Sequence, residues 1–316
     1  MDLLTQLQEK SNHIALLDEE EILQVVNHIA IAEKHYFNGR ENDYLFTDAV
    51  YRTNQAFEGA LKEAYRVISQ KDPKKLTPYK IEKYFENNSL LKNRVLQLFT
   101  NYRTEWRNPS VHDHTLSFTE QEAFLAIVSI SAFANILFDQ IIEKLAYNSE
   151  VSYLNTSNSK PQINIEDDDL TKQLSKILLS FSPEHYKRGA ALPRIHELEL
   201  IGWLAAYITN IAENISVDTD VILNAAQHGK GYRPDLLISS NNDKVLVEIK
   251  MSYKQSNEII TMGTEQLKKY LTISGITNGI LYIQSHTPTD MTTSEFFFSD
   301  KNGNYKIIQI YPKNFV

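Results

Sequence analysis

Two carboxylates and a lysine lie close together in one short segment of the chain. Asp235 follows Pro234, and the run Glu248-Ile249-Lys250 begins thirteen residues after Asp235. Carboxylate oxygens bind divalent cations such as Mg²⁺, and a lysine ammonium can stabilise charge on a phosphate group. The combination therefore predicts metal-assisted hydrolysis of a phosphodiester bond.

A β-hairpin is predicted to position these residues. Residues 236–238 and 245–247 are β-prone runs separated by a polar stretch. If Asn241 and Asn242 are the central residues of a tight turn, residue 238 pairs with 245 and Asp235 faces Glu248. Since side chains alternate along a strand, Glu248 and Lys250 project from one face. The opposite face is wholly apolar and consists of Leu236, Ile238, Val245, Val247 and Ile249.

Two carboxylates at this spacing need a compensating charge. Facing side chains in an antiparallel pair lie about 5 Å apart, so Asp235 and Glu248 repel each other when both are ionised. Mg²⁺ or Mn²⁺ between them would relieve the repulsion, polarise a phosphate and activate a water molecule. Lys250 would orient that water or stabilise the charge that develops on phosphorus.

The flanking segments predict the elements around the hairpin. Residues 194–204 open a helix in which Glu197 shares a face with the apolar residues Leu200, Ile201 and Leu204. Residues 264–271 predict a second helix, and residues 279–284 a further strand. With a strand at 216–223 before the hairpin, the predicted order is helix, three strands, helix, strand.

This order and these residues resemble the PD-(D/E)XK nuclease superfamily, the restriction-endonuclease-like fold, over roughly residues 190–290. The resemblance implies the catalytic residues Glu197, Asp235, Glu248, Lys250 and Gln266, of which Glu197, Asp235 and Glu248 would be metal ligands. Glu199 is an alternative to Glu197, because one residue of register turns a helical side chain by about 100°. Lys230 and Arg233, just before Asp235, are predicted to hold phosphates, and the alternative is a solvated glycine loop.

Length and composition predict a two-domain globular protein, and the order of predicted elements places it in the α+β class. The chain has 316 residues, 42% of them hydrophobic, which is enough for packed cores. It has no cysteine and no basic-then-apolar signal segment, so we expect a cytoplasmic protein. The net charge of −8 disfavours a protein that coats DNA nonspecifically more than it disfavours a nuclease, in which only a local groove must be positive.

The predicted domains are residues 1–147, a linker at 148–169 and residues 170–316. The polar run at 155–161 contains no periodic pattern and predicts the linker. The N-terminal domain is predicted to be an all-α bundle with helices at residues 20–36, 44–69, 78–106 and 119–146. The apolar stretch at 123–138 is interrupted by Ser129, Ser131 and Asn135 and predicts a core helix.

Arg107, Asn108 and His112 stand between the third and fourth of these helices. Pro109 disfavours helical geometry at Asn108, so the preceding helix is predicted to end near Arg107. An arginine followed by asparagine and then by this histidine resembles the R-x4-6-H motif of HEPN domains, over about residues 40–146. The resemblance implies a helical, often dimeric domain and a metal-independent ribonuclease site formed by Arg107, Asn108 and His112. The alternative is a structural pair or a HEPN scaffold without activity.

Together these patterns predict a HEPN-like helical domain followed by a restriction-endonuclease-like αβββαβ core. The two resemblances imply a metal-dependent nuclease with DNA as the preferred substrate. They also imply a homodimer and a prokaryotic defence setting, because these are usual for proteins with these two domain types. One alternative is a HEPN ribonuclease whose C-terminal domain recognises nucleic acid. A second is a silent nucleic-acid-binding and dimerisation protein, which the presence of Asp235, Glu248 and Lys250 disfavours.

Overall fold

The chain folds into two compact units, Met1–Leu145 and Ala146–Val316. The computed structural model describes residues 2–18, 20–112, 116–156, 169–181, 196–212, 214–223, 231–241, 243–252, 256–285 and 289–315, without the side chains of 111 and 112. The first unit is helical and the second combines helices with a mixed sheet, as the sequence predicts.

The N-terminal unit consists of helices around an aromatic and aliphatic core. Phe57 lies at its centre, with its ring 4.7 Å from the ring of Tyr102 and 5.3 Å from that of Phe133. All three side chains are fully buried. The helices are α1 (Leu3–Leu17), α2 (Ile22–Asn38), α3 (Tyr44–Ser69), α4 (Pro78–Asn88), α5 (Asn93–Tyr102), α6 (Asn108–His112) and α7 (Glu120–Thr156).

The single helix predicted for residues 78–106 is wrong, because the segment forms α4 and α5. Ser89 ends α4 with a φ of 50°, a left-handed conformation that a right-handed helix cannot continue. A π-helical turn, Arg103–Arg107, follows α5, and α6 continues directly from it. The helical path therefore does not end at Arg107. Pro109 has no N–H to donate to a helical hydrogen bond. In the wider turn before it, the N–H of Asn108 bonds to the carbonyl oxygen of Arg103. A π turn of this kind accommodates the missing hydrogen bond within a helix.

Helix α7 extends to Thr156, into the segment predicted as a linker. Its last turns carry Ala146, Tyr147, Tyr153 and Leu154 at helical spacing, and these side chains join the core of the C-terminal unit. Burial of this stripe explains why helical geometry continues through a polar sequence. Among the described residues, α7 is the one helix long and apolar enough to cross a membrane, and 61% of its most apolar window is buried within the protein.

The C-terminal unit has a six-stranded sheet in the order β1-β2-β3-β4-β6-β5. Strands β1, β2 and β3 are antiparallel, β4 is parallel to both β3 and β6, and β5 is antiparallel to β6. The elements are α8 (Leu170–Ser180), α9 (Glu197–Ile211), β1 (Ser216–Asp218), β2 (Leu236–Ser240), β3 (Asp243–Ser252), α10 (Asn257–Ser274), β4 (Asn278–Ser285), β5 (Met291–Asp300) and β6 (Gly303–Pro312).

From α9 to β4 this is the predicted order of helix, three strands, helix and strand. The strand predicted at 216–223 is shorter, since β1 ends at Asp218 and only an isolated bridge joins Leu223 to Tyr232. The β5–β6 hairpin extends the sheet beyond the predicted core.

The predicted hairpin register is confirmed. Ile238 pairs with Val245, Ser240 pairs with Asp243, and Asn241 has a φ of 52° in the turn. The apolar face of the hairpin packs against α8 and α9 in one hydrophobic cluster.

The other face of the sheet packs against α10. Leu246 from β3 lies there in a second cluster with Leu267 and Leu271 of α10. The helix lies close to the sheet because Gly263 has no side chain: a Cβ at this position would approach Cδ1 of the buried Leu281 to 2.6 Å. Leu281 is the partner of Glu248 in the β3–β4 register, so this close contact brings α10 beside the charged positions of β3.

Candidate active site

Asp235 and Glu248 lie side by side at the end of the hairpin. Leu236 pairs with Val247, so the antiparallel register places the preceding residue, Asp235, opposite Glu248. Asp235 Oδ2 accepts a hydrogen bond of 2.6 Å from the backbone N–H of Ile249. The carboxylate of Asp235 is thereby held against β3, immediately before β2 begins at Leu236.

Lys250 lies two residues after Glu248, on the same face of β3. Its Nζ donates a hydrogen bond of 2.5 Å to Glu248 Oε1. The side chain of Glu248 is 1% exposed and that of Lys250 is 23% exposed. The carboxylate is therefore buried, whereas the lysine is partly exposed to solvent.

The pKa values of both partners are shifted upward, for different reasons. Burial, followed by the negative charge of Asp235, raises the pKa of Glu248 to about 8, although Lys250 acts in the opposite direction. Burial by itself would lower the pKa of Lys250, but the charges of Glu248, Asp235 and Glu197 together raise it. Lys250 therefore stays protonated at neutral pH and serves as a fixed positive charge.

Helix α9 supplies one of its two glutamates to this site. Glu197 Oε2 accepts a hydrogen bond of 3.4 Å from the backbone N–H of Met251, the residue after Lys250. Glu199 is fully buried, and its Oε2 accepts a hydrogen bond of 2.8 Å from the backbone N–H of His196 in a capping box. The geometry thus places Glu197 next to the site and gives Glu199 a structural role at the start of the helix.

Helix α10 contributes Gln266 and, one turn later, Tyr270. Gln266 Nε2 donates a hydrogen bond of 2.7 Å to the Tyr270 hydroxyl. Burial raises the pKa of Tyr270, the bond from Gln266 lowers it, and the charges of Glu248 and Asp235 raise it further. Tyr270 is not among the predicted site residues, although its spacing of four residues from Gln266 places both on one helix face.

The donor set fits a small divalent cation. Among the described residues no three His, Cys, Asp or Glu side chains form a complete metal-binding cluster. Mg²⁺ does not require one, since it is usually bound by one or two carboxylates together with water and substrate phosphates. Asp235 and Glu248 provide two carboxylates, and Glu248 Oε2 is buried with no hydrogen-bond partner in the described part of the chain. A buried carboxylate oxygen without a hydrogen-bond donor is stabilised by binding a cation or a proton.

The predicted phosphate-binding residues lie in the segment that precedes Asp235. Lys230 lies outside the described residues. Arg233 donates a hydrogen bond of 3.2 Å from its NH1 to Asp220 Oδ1, and its side chain is 40% exposed. An exposed pair of this kind is weak, so a phosphate could still compete for the arginine.

In the N-terminal unit, Arg107 and Asn108 lie together at the junction of the π turn and α6. Arg107 NH1 donates a hydrogen bond of 3.1 Å to Asn108 Oδ1, and NH2 lies 3.9 Å from Glu58 Oε1. Arg107 Nε is buried and has no hydrogen-bond partner among the described residues. The backbone of His112 ends α6, and its side chain lies outside what the structure describes.

A buried polar network fixes this junction to α3. The Tyr102 hydroxyl lies 2.8 Å from Thr53 Oγ1 and 2.9 Å from Asn54 Oδ1. Asn54 Nδ2 donates to Ser110 Oγ at 2.6 Å, and Ser110 Oγ donates in turn to the carbonyl oxygen of Arg107 at 3.0 Å. The backbone that carries Arg107 is therefore held by side chains from two other elements.

Comparison with known proteins identifies one segment of the chain. Residues 208–289 match the family model of the PD-(D/E)XK nuclease superfamily. The matched range contains Asp235, Glu248, Lys250 and Gln266, whereas Glu197 and the N-terminal unit lie outside it. No curated protein and no solved structure gave a significant match. The match supports a nuclease and implies a nucleic acid substrate.

Proposed function

We propose that the C-terminal unit is a metal-dependent nuclease that hydrolyses phosphodiester bonds at Asp235, Glu248 and Lys250. The observation that carries this proposal is the pairing of two adjacent carboxylates with one lysine, inside the segment that matches the PD-(D/E)XK superfamily. Glu197 and Gln266 complete the proposed site from the two flanking helices.

The residues of the chain have distinct tasks in this proposal. Asp235 and Glu248 would hold Mg²⁺ or Mn²⁺, which supplies Lewis acidity toward a phosphate and a water nucleophile when bound. Lys250 remains protonated, so it stabilises negative charge in the transition state and is not suited to accept a proton. The hydrogen bond from Ile249 to Asp235 keeps that carboxylate in place before substrate binds, which is the kind of preorganisation that catalysis needs.

We propose DNA as the preferred substrate. DNA has no 2′-hydroxyl, so its cleavage requires an external nucleophile that the enzyme must activate. A site built from carboxylates and a lysine supplies such activation, whereas RNA can be cleaved through its own hydroxyl without a metal. We propose a prokaryotic defence setting, a cytoplasmic location and a homodimeric assembly as the context of this activity.

A cleavage assay tests the proposed function. Labelled duplex DNA, single-stranded DNA and single-stranded RNA are incubated with the full chain in Mg²⁺, Mn²⁺ or EDTA. We expect cleavage of DNA with either metal and none in EDTA, since the carboxylates act through the cation. Binding without cleavage under every condition would support a silent recognition protein instead.

A second candidate function is RNA cleavage by the N-terminal unit. The observation that favours it is the placement of Arg107, with Asn108 beside it, on a backbone that buried side chains hold rigid. Arginine stabilises charge on a phosphate, and a histidine can transfer protons to and from the 2′-hydroxyl. HEPN-like ribonuclease chemistry at Arg107, Asn108 and His112 needs no metal.

Substitution of His112 separates the two candidates. If the N-terminal site is active, H112A and R107A should each reduce RNA cleavage in EDTA by about 10²–10⁴-fold, the usual range for loss of acid–base catalysis. R94A changes an exposed arginine on α5 and is the matched control. RNA cleavage that requires metal, or that survives both substitutions, would contradict a site at Arg107 and His112.

A further inference from the structure

The segment that joins α3 to α4, together with the first turns of α4, is basic in a chain whose net charge is −8. Residues 71–83 contain five lysines and two acidic residues, Asp72 and Glu82. All five lysines are exposed, and together they form a surface that we name the lysine corner: Lys71, Lys74, Lys75, Lys80 and Lys83. An anionic ligand would relieve the repulsion among these like charges.

The acidic side chains of α4 leave most of the lysine corner without a counter-charge. Glu82 is buried, and both Glu82 and Glu86 accept hydrogen bonds from NH1 of Arg103, at 3.3 and 3.0 Å. Glu86 also pairs with Lys83 at 2.7 Å. Among the described residues, the other four lysines of the corner form no ion pair: Lys71, Lys74, Lys75 and Lys80.

The loop that carries Lys74 and Lys75 is fixed by local contacts. Asp72 Oδ1 accepts a hydrogen bond of 2.9 Å from the backbone N–H of Lys74. The carbonyl oxygen of Pro73, a buried residue, accepts a hydrogen bond of 2.9 Å from the N–H of Leu76. Because the turn is already formed, little backbone freedom is lost when the two ammonium groups bind an anion.

Two tyrosines lie among these lysines, and one of them is open to solvent. Tyr79, in the first turn of α4, is 61% exposed, and Lys83 Nζ lies 5.9 Å from its ring centroid. Lys71 Nζ lies 4.6 Å from the ring centroid of Tyr84 and donates a hydrogen bond of 3.1 Å to its hydroxyl. Exposed aromatic rings stack on unpaired bases, and lysines bind the phosphates between them. The combination fits a single strand better than a duplex, whose bases are stacked on each other.

We propose that the lysine corner and Tyr79 form a binding site for single-stranded nucleic acid on the N-terminal unit. Its residues belong to neither candidate catalytic site. The lysines without carboxylate partners bind phosphate oxygens, and the Tyr79 ring stacks on one base. This chemistry is shared by DNA and RNA strands and needs neither a metal nor cleavage, so the inference does not depend on the proposed nuclease activity.

Strand binding in EDTA tests the lysines. Fluorescence anisotropy follows the titration of labelled oligothymidine, or of 2′-O-methylated oligouridine, with the full chain at several salt concentrations. K74Q/K75Q/K80Q should bind both strands more weakly. The slope of log K against log salt should become shallower by about 2, because each phosphate contact with a single strand contributes about 0.7. K34Q/R94Q/K301Q removes three other exposed charges and should keep the wild-type slope.

Substitution of Tyr79 tests the stacked base. Y79A should bind single strands about 5–100-fold more weakly, the usual effect of losing one stacked base, whereas Y79F keeps the ring and should bind like the wild-type chain. Binding of a duplex of the same length should not change in Y79A. Y44A is the matched control, since Tyr44 is another exposed tyrosine of the same unit. It should bind strands normally.

The contrary results are distinct. Unchanged strand affinity in the lysine variant or in Y79A would overturn the inference, as would an equal loss in the charge control. Binding of phosphatidylserine vesicles that requires the lysine corner, with strand binding unaffected, would assign the surface to a membrane instead. A chain that cleaves no substrate, but loses strand affinity in these variants, would contradict the proposed nuclease activity and support this site.

Discussion

Replacement of Lys250 with alanine is expected to reduce metal-dependent cleavage by about 10²–10³-fold, the usual loss when a preorganised donor is removed from a developing charge. Lys250 is the cation hydrogen-bonded to Glu248, and its side chain is partly exposed to solvent. Its loss also leaves Glu248 buried beside Asp235 without a counter-charge, which should raise the pKa of Glu248 further.

The matched control for K250A is K244A. Lys244 lies on the same strand, β3, and is exposed. K244A should cleave like the wild-type chain, and circular dichroism should show that both variants are folded. Near-normal cleavage by K250A would contradict the assignment of the site. Equal losses in the two variants would indicate that nucleic acid binding depends on general positive charge instead.

The hairpin illustrates what sequence could predict here. Alternation of apolar residues fixes which face of each strand is buried, and a two-residue turn then fixes the register. Asn241 adopts the positive φ that such a turn needs, and Asp235 comes to lie opposite Glu248 without any long-range information. A site built on two strands that are neighbours in sequence is therefore largely encoded in local patterns.

Other parts of the site depend on tertiary contacts, which the hydrophobic periodicity of the sequence does not predict. Glu197 and Glu199 both lie on the first turn of α9, and their hydrogen-bond partners distinguish them: the N–H of His196 donates to Glu199, and the N–H of Met251 donates to Glu197. Glutamate is common at the position that Glu199 has in a capping box, so the sequence contains a pattern that accounts for Glu199. That pattern gives no indication of what Glu197 contacts. That contact, with the N–H of Met251, joins residues 54 positions apart in the chain and requires the folded sheet.

The break in the helix predicted for residues 78–106 has a similar origin. Asn87, Asn88 and Ser89 are weak helix formers, but apolar periodicity on both sides of them favoured one continuous helix. Pro109 predicts a break in the helical hydrogen-bond pattern, but the sequence does not predict which form the break takes. The chain absorbs it in a π turn that is held by buried contacts from Asn54 and Tyr102.

The charge on Glu248 should make the metal-free protein less stable than it would be with a neutral side chain. Burial and Asp235 raise the pKa of Glu248 from 4.5 to about 8 in the folded state. Between these two values the folded chain binds a proton that the unfolded chain has released, so this group makes the protein less stable as pH rises through that window. The contribution is largest near pH 8 and disappears near pH 4.5.

E248Q should therefore stabilise the metal-free protein and abolish its cleavage. In EDTA at pH 8 we expect the free energy of unfolding, measured with urea, to rise by roughly 1–3 kcal/mol. The gain is limited because Lys250 loses its hydrogen-bond partner in the variant. At pH 5 wild-type and variant should unfold alike. E265Q, which changes an exposed glutamate of α10, should show no such dependence on pH.

Addition of Mg²⁺ should reverse the order of stability. A ligand that binds only the folded state stabilises it, and the wild-type chain should gain this stabilisation while E248Q does not. A variant that is less stable than wild type at pH 8 in EDTA would show that the ion pair with Lys250 outweighs the burial of the charge. Glu248 would then be a structural residue, whereas the expected result identifies a carboxylate that is kept for function at the expense of stability.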